Sequence, residues 1–499
     1  MAKRIVKPQS STRRRIPSGT GENLQNEALE ASGREVDRRL PWLFLAFSLV
    51  FGLLYVFIMP PMQVPDEMMH FARVYSVSRG VCVASPDIDM PQSFEQLNRL
   101  FPHWLENQHK ISPADLTNAL GIPLNDKVMA GNARERSLDG YINQNTYHCA
   151  PYIPEAIVLS AGRAVAIPPL ALMYLCRLAN LFFYAGLTFL ALWLLPEFRI
   201  VLFCVALIPM ALHQAASVSA DATVLAVSFL FTAYVFRLAF RRESKSLGIR
   251  EHAVLALLLV FLVLSKALIC SAFLLLLIPA GRFSSSRARW LTLTAYLALA
   301  IATAAVWQNV NAANTARLAE QRALQDVDPA ANTRFLYEHP VTAGLIFARC
   351  LDDPHFLYEQ LQQFVGKLGW LTIQLPDWLV WIYSALLLAA AISQTRSGPL
   401  TGKARLLLLL FAAAFYGNTL LYGFIGNVAK EFYNHPEAWP YFRVPLQGRY
   451  WLPFALPVLL ICSTRRTWIN PRYFLMAAMA IVALASAVAI YLIRLKYYF

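Results

Sequence analysis

The chain has 499 residues, of which 57% are hydrophobic and 15% charged, and its mean hydropathy is +0.45. Soluble domains carry about 25% charged and about 45–50% apolar residues. The composition therefore excludes a cytosolic enzyme and a disordered or fibrous chain, and points to an all-α polytopic membrane protein. The net charge of +14 does not indicate a nucleic-acid partner. The basic residues sit in short clusters between apolar runs, where they act as topology signals.

In chain order, residues 1–39 are polar, include Arg13-Arg14-Arg15, and read as a disordered basic cytoplasmic tail. Pro41 to Met59 is a 19-residue uncharged run, long enough to span. It lacks a small-residue cleavage site and follows a tail too long for a signal peptide, so it reads as a retained anchor. A polar stretch, 60–150, comes next. Further apolar runs lie near 172–194, 200–217, 222–240, 253–280, 290–308, 377–394, 405–425, 450–463 and 473–493, with polar segments at 309–376 and 426–449.

The positive-inside rule orients these runs. The strongest basic connections are Arg237/Arg241/Arg242/Lys245/Arg250, Arg282/Arg287/Arg289, Arg396/Lys403/Arg405 and Arg465/Arg466/Arg472. All four fall on the cytoplasmic side under two conditions. Segment 151–168 must lie as a re-entrant or juxtamembrane helix rather than a full span, as Glu155, Arg163 and four flanking prolines favour. Segment 253–280 must make two short passes broken at Ser265-Lys266. About eleven spans result, with the long segments 60–150 and 309–376 outside, the shorter 426–449 also outside, and Arg494 and Lys496 ending there too. No inverted repeat of the transporter kind is visible.

The seven cysteines show no CxxC or Cys/His ligand spacing, which argues against a zinc site. Cys82 and Cys149 share the first outer loop. In an oxidising compartment they either pair or stay free thiols.

The residues suited to chemistry concentrate at the outer face. In Pro65-Asp66-Glu67-Met68-Met69-His70-Phe71-Ala72-Arg73, a proline and two acids make a good helix start. Asp66, His70 and Arg73 recur at i, i+4, i+7 on one face, leaving Met68, Phe71 and Val74 to lie toward lipid. Two carboxylates and a histidine there can deprotonate a hydroxyl or hold a cation. Asp221 begins a span, Lys266 sits between two half-spans, and Arg177 and Arg449 enter spans, all from the same side. Acids and cations together at the bilayer edge suit a substrate with a phosphate at headgroup depth. Other patterns carry less. Asp87-Ile88-Asp89 resembles a nucleotide-sugar metal motif but lies outside, where nucleotide sugars are absent. His103 and His109 fit no helical metal pair, and nucleotide-binding glycine motifs are missing.

Pro65-Asp66-Glu67-x-x-His70-Phe71, Ser219-Ala220-Asp221, Ser265-Lys266, Gly369-Trp370-Leu371 and Gln447-Gly448-Arg449-Tyr450 together resemble a family of bacterial membrane proteins catalogued as DUF2142. Thr372 departs from the acidic residue expected after Gly-Trp-Leu. The family in turn looks like a branch of the GT-C glycosyltransferases. That resemblance implies a GT-C-like transmembrane domain over 40–499 in the bacterial inner membrane. It would use a polyprenyl-phosphate-linked sugar as donor and a cell-envelope glycan or lipid as acceptor. Carried over, Asp66 or Glu67 would be the general base, and Lys266 and Arg449 would hold the donor phosphate. Asp221 would shape the cavity or help hold a divalent cation. His70, Arg73 and Gln447 complete the candidate substrate-binding set. The competing class is a transporter or flippase of lipid-linked glycans, which would favour inverted repeats, midplane charges and short loops.

Overall fold

The computed structural model describes residues 20–84, 90–102, 110–127, 142–195, 197–240, 246–324, 326–393, 400–464 and 469–498. The fold is almost entirely helical. The first helix, α1 (Thr20–Ile58), reaches back into the segment whose composition read as a disordered tail. Glu35 there pairs with Arg39 at i, i+4 and with Arg472 across the bundle, giving the helix partners that composition does not reveal. Next come α2 (Glu67–Ser78), α3 (Ile153–Ala164), α4 (Pro169–Leu194), α5 (Ala220–Phe240), α6 (Ile249–Lys266) and α7 (Ser286–Val310). The second polar segment holds α8 (Ala312–Leu324) and α9 (Pro354–Val365), and a small hairpin pairs β1 (Lys367–Leu368) with β2 (Ile373–Gln374). The bundle closes with α10 (Asp377–Ile392), α11 (Gly402–Asn427) and α12 (Pro471–Tyr497).

Among the described residues, six helices are long and apolar enough to cross a bilayer: Glu35–Ile58, α4, α5, α7, α11 and α12. Two shorter apolar segments, α10 and Gly448–Cys462, accompany them. The expectation of about eleven spans counted two runs, 200–217 and 450–463, that are not single continuous α-helices, while the expected break of 253–280 at Ser265-Lys266 is present. The run 200–217 is two short helices, Arg199–Ala206 and Pro209–Ala215, and Val201 to Ala216 is buried throughout. Its hydrophobicity serves protein packing on all sides, which a sequence pattern cannot tell from lipid contact. The run 253–280 breaks after Lys266, where Ala267 takes a left-handed conformation (φ 49°), and continues as a 3-10 segment, Ile269–Leu277. Its two ends meet, with Leu247 N–H donating to the Arg282 carbonyl at 2.9 Å, so the chain enters and returns on one side. The run 450–463 passes through a 3-10 segment, Gly448–Phe454, a short α-helix, Ala455–Leu459, and a further 3-10 turn, Leu460–Cys462. Helix α3 has 12 residues and rises about 18 Å, too short for a core about 30 Å thick.

Interhelix contacts fix the polarity of the bundle. Arg472 at the start of α12 meets Glu35, and Arg199 donates to the Asp37 carbonyl at 3.0 Å. At the opposite end, Ile111 N–H donates to the Tyr497 carbonyl at 2.8 Å and Lys110 Nζ to that of Lys496 at 2.7 Å. The C-terminal end of α12 therefore lies against the first polar loop.

The second polar segment is built from short helices with explicit start signals. Asp328 and Asp353 each cap a helix that opens with proline, accepting from the N–H groups two and three residues on. These helices cover a small aromatic core in which Phe335 stacks on Phe424 and meets Trp439 edge-on.

One buried ion pair ties the start of α2 to the bundle. Arg177, on α4, grips Glu67 through two hydrogen bonds of 2.7 and 2.6 Å, and both side chains are fully buried. The remaining guanidinium donors reach the carbonyls of Val56, Met59 and Pro60. These include acceptors that the end of α1 leaves without helical partners. Removing one partner of such a pair strands a buried charge, at a cost of about 3–5 kcal/mol. Glu67→Ala and Arg177→Ala should each lower the unfolding midpoint in detergent sharply, and the apolar double variant Glu67→Met/Arg177→Leu should recover much of it. Single variants that melt like the wild type would contradict this account.

Candidate functional site

Asp66 and Glu67 are adjacent, yet they face opposite ways. Asp66 sits just before α2 in a left-handed conformation (φ 64°), which aspartate tolerates better than most residues. Glu67 is committed to Arg177, and its Oε1 also accepts from Val218 N–H at 3.1 Å. The Asp66 side chain keeps 32% of its surface and lines a cavity. Glu67, expected as an alternative base, is thus placed as a buried anchor with both oxygens occupied.

Arg73, expected to bind substrate, is also placed elsewhere. Its guanidinium is buried and donates to the carbonyls of Val81, Cys82 and Tyr147. It fastens two loops that a Cys82–Cys149 disulfide joins, with Cα atoms 4.8 Å apart. Cys82, Cys149 and His148 sit close enough for a metal site, but the disulfide uses both sulfurs. Nor do Met68, Phe71 and Val74 face lipid. They are buried, and Phe71 stacks on Phe94 at 4.1 Å, because the segment 90–101 covers that side of α2.

His70 does face the cavity. Its Nδ1 lies 2.7 Å from the Tyr152 hydroxyl, and burial, opposed by Asp66 and Asp221, pushes its pKa down to about 4. It stays a neutral hydrogen-bonding group near pH 7.

Asp221 is positioned by two buried carboxylates. Glu67 accepts from Val218 N–H, and Glu155 accepts from Ser219 N–H at 3.1 Å and from Asn180 Nδ2 at 2.6 Å. Both occupy the amide-rich entrance to α5, where negative charge is favoured. Asp221, the second residue of α5, forms an ion pair with Lys266 at the end of α6. Arg449 completes the cluster, 3.9 Å from Asp66 and 4.0 Å from Asp221.

Arg449 is carried by a close approach of two backbones. A side chain at Gly448 would put its Cβ 2.2 Å from the Gln360 carbonyl and 2.7 Å from Phe364 N. Only glycine lets this segment seat on α9, where Gly448 N–H donates to Gln363 Oε1 at 2.8 Å. The Gly369-Trp370-Leu371 stretch is the turn between β1 and β2. Gly369 (φ 59°) and Leu371 (φ 61°) are left-handed, Trp370 Nε1 donates to the Met62 carbonyl, and Leu371 reaches the cavity wall.

The charge cluster stands where two cavities meet. One, of about 560 Å³, is mainly polar and takes in Asp66, His70, Asp221, Lys266, Gln447 and Arg449. The other, of about 230 Å³, is mainly apolar and runs between Val224, Val263, Leu268, Ala304, Phe415 and Leu452. Tyr147, Asp221, Lys266, Tyr422, Arg449 and Tyr450 line both. Among the residues lining the two cavities, Gln214 Oε1, Gln447 Oε1 and Arg449 Nε are buried without a hydrogen-bond partner, the last two in the polar cavity. At a cavity wall, buried polar groups without a protein partner are available to a group from outside the protein.

Six of the expected site residues, Asp66, His70, Asp221, Lys266, Gln447 and Arg449, therefore share one cavity, while Glu67 and Arg73 brace it from behind. Tyr147, Tyr152 and Tyr422 were not legible beforehand, since a tyrosine near a span end reads as an interfacial belt. Asp87, Asp89, His103 and His109 lie outside the described residues.

Two outcomes are expected. Gly448→Ala forces backbone out of contact and should cost about 1–3 kcal/mol, read as a lowered unfolding midpoint. His70 favours its neutral form when folded, so its contribution is complete above its ordinary pKa of 6.5 and is lost as pH falls toward 4. His70→Gln should remove part of the loss of thermal stability between pH 6.5 and 4, and an unchanged acid profile would count against the burial of this ring.

The chain matches no curated protein and no solved structure. A family model described as predicted membrane protein (DUF2142) matches residues 49–459, which include every motif from Pro65 to Tyr450 discussed above, and the chain belongs to that family.

Proposed function

We propose that this protein is a membrane glycosyltransferase. It moves a sugar from a polyprenyl-phosphate carrier to a cell-envelope glycan or lipid at the outer face of the bacterial inner membrane. The observation that carries the reading is the meeting of an apolar and a polar cavity at Lys266 and Arg449, with the Asp66 carboxylate beside them. A lipid-linked sugar phosphate has the same three-part chemistry: an apolar chain, an anionic link and a polar head.

In the reaction, an acceptor hydroxyl attacks the anomeric carbon and Asp66 takes its proton. The bond from that carbon to the phosphate oxygen breaks, and its electron pair leaves with the lipid phosphate. Lys266 and Arg449 stabilise the charge that develops on the leaving group. Arg449 Nε, which makes no hydrogen bond and stands 4.0 Å from Asp221, suits a phosphate oxygen, and Gln447 Oε1 suits a sugar hydroxyl. A divalent cation between Asp66 and Asp221 would have to displace cations already standing against them. The basic clusters at the far end of the bundle and the Cys82–Cys149 disulfide at this end support an outward-facing site.

The test uses purified protein in lipid nanodiscs with a panel of labelled polyprenyl-phosphate sugars. Wild type should release the lipid phosphate, and Asp66→Asn should slow release by about 10²–10⁴-fold. Equal turnover in that variant would remove Asp66 as the base. Movement of intact carrier across vesicle membranes without bond cleavage would make the protein a transporter.

A further inference from the structure

The polar cavity extends beyond the charge cluster, and its far part holds a cation that the proposed donor chemistry does not use. Arg322, on α8, lines the polar cavity but not the apolar one. It therefore stands away from the junction where the donor phosphate is placed.

The other cavity-lining charges are compensated within the protein. Asp221 has Lys266, and Arg449 lies between Asp66 and Asp221. Arg443 pairs with Asp353 at 2.8 Å, and Glu359 with Lys367 at 3.8 Å. Arg322 differs. Its hydrogen-bond partner is the neutral Asn427 Oδ1, at 3.4 Å, and no carboxylate lies within 4.0 Å of it among the described residues. Asn427 is itself held by the Pro445 carbonyl at 3.3 Å, so the arginine is supported from one side and open on the other.

A guanidinium in a half-enclosed cavity, without a counter-ion, favours an anion from outside. Its planar fork matches a carboxylate or a phosphate. We infer that the acceptor is an anionic saccharide, a sugar bearing a carboxylate or a phosphate, and that Arg322 binds that anionic group while the attacking hydroxyl lies at Asp66. The inference rests on the glycosyltransferase reading and narrows its acceptor. Arg322 sets specificity and touches neither the bond that forms nor the bond that breaks.

The experiment follows transfer from the labelled carrier that wild type turns over. Three acceptor sets are compared: hexuronate oligosaccharides, sugar-phosphate oligomers and neutral oligosaccharides of equal length. Wild type should prefer one of the anionic sets, and the arm that wins identifies the anion. A charge-assisted contact of about 1.5–3 kcal/mol corresponds to about 10–100-fold, so Arg322→Gln should reduce the anionic-over-neutral ratio of kcat/KM by that factor. Arg322→Lys should keep part of the preference. On the unaltered protein, a short anionic fragment lacking the accepting hydroxyl should compete with acceptor, while its neutral counterpart should not. Equal use of neutral and anionic acceptors, or an unchanged ratio in Arg322→Gln, overturns the inference while lipid-phosphate release keeps the wider reading. Absence of release from every donor overturns both.

Discussion

The buried Arg177–Glu67 pair is the constraint on which the rest of the arrangement depends. One guanidinium joins the end of α1, the start of α2 and, through Glu67, the amide of Val218 before α5. Such a pair contributes little net stability, because desolvation of both charges offsets most of their attraction. What it supplies is geometry. With Glu67 held in one direction and the chain left-handed at Asp66, the neighbouring carboxylate turns toward the cavity. Glu155 repeats the device one residue further along at Ser219. Two buried acids thus hold the entrance of α5, and Asp221 takes its place from them.

The opposite wall depends on a different constraint, the absence of a side chain at Gly448. Contact with the α9 backbone sets where Arg449 and Tyr450 emerge, and those two residues lie against the Asp221–Lys266 pair. Lys266 in turn reaches the site because α6 ends there and Ala267 reverses the chain. The cluster is therefore assembled from four separate parts of the sequence, each stopped at one depth by a local feature: a left-handed aspartate, a capped helix entrance, a reversal and a glycine contact. The result is a polar and an apolar cavity sharing a charged boundary.

Much of this was legible in the sequence, for identifiable reasons. Apolar runs such as Pro169–Leu194 and Pro471–Tyr497 are long, uninterrupted and flanked by prolines or polar residues, so length and hydropathy suffice. Lys266 stood out because a charge inside an apolar run is costly. The run 200–217 misled because helices buried in protein and helices buried in lipid have the same composition. Glu67 and Arg73 misled because ionisable residues near a candidate site read as chemistry, whereas buried arginines and glutamates also serve as fasteners for backbone carbonyls and amides.

By itself, the sequence determined the membrane class, the end of the bundle on which acids and cations gather, and the motif residues that supply them. Those properties follow from composition and local order along the chain. Only the tertiary structure decided which of two adjacent acids faces the cavity, that Arg73 braces a loop, and that Arg322 has no carboxylate against it among the described residues. The physical reason is that an ionisable side chain takes its direction from its partner. For Glu67 that partner is 110 residues away, at a distance in sequence that no local pattern encodes.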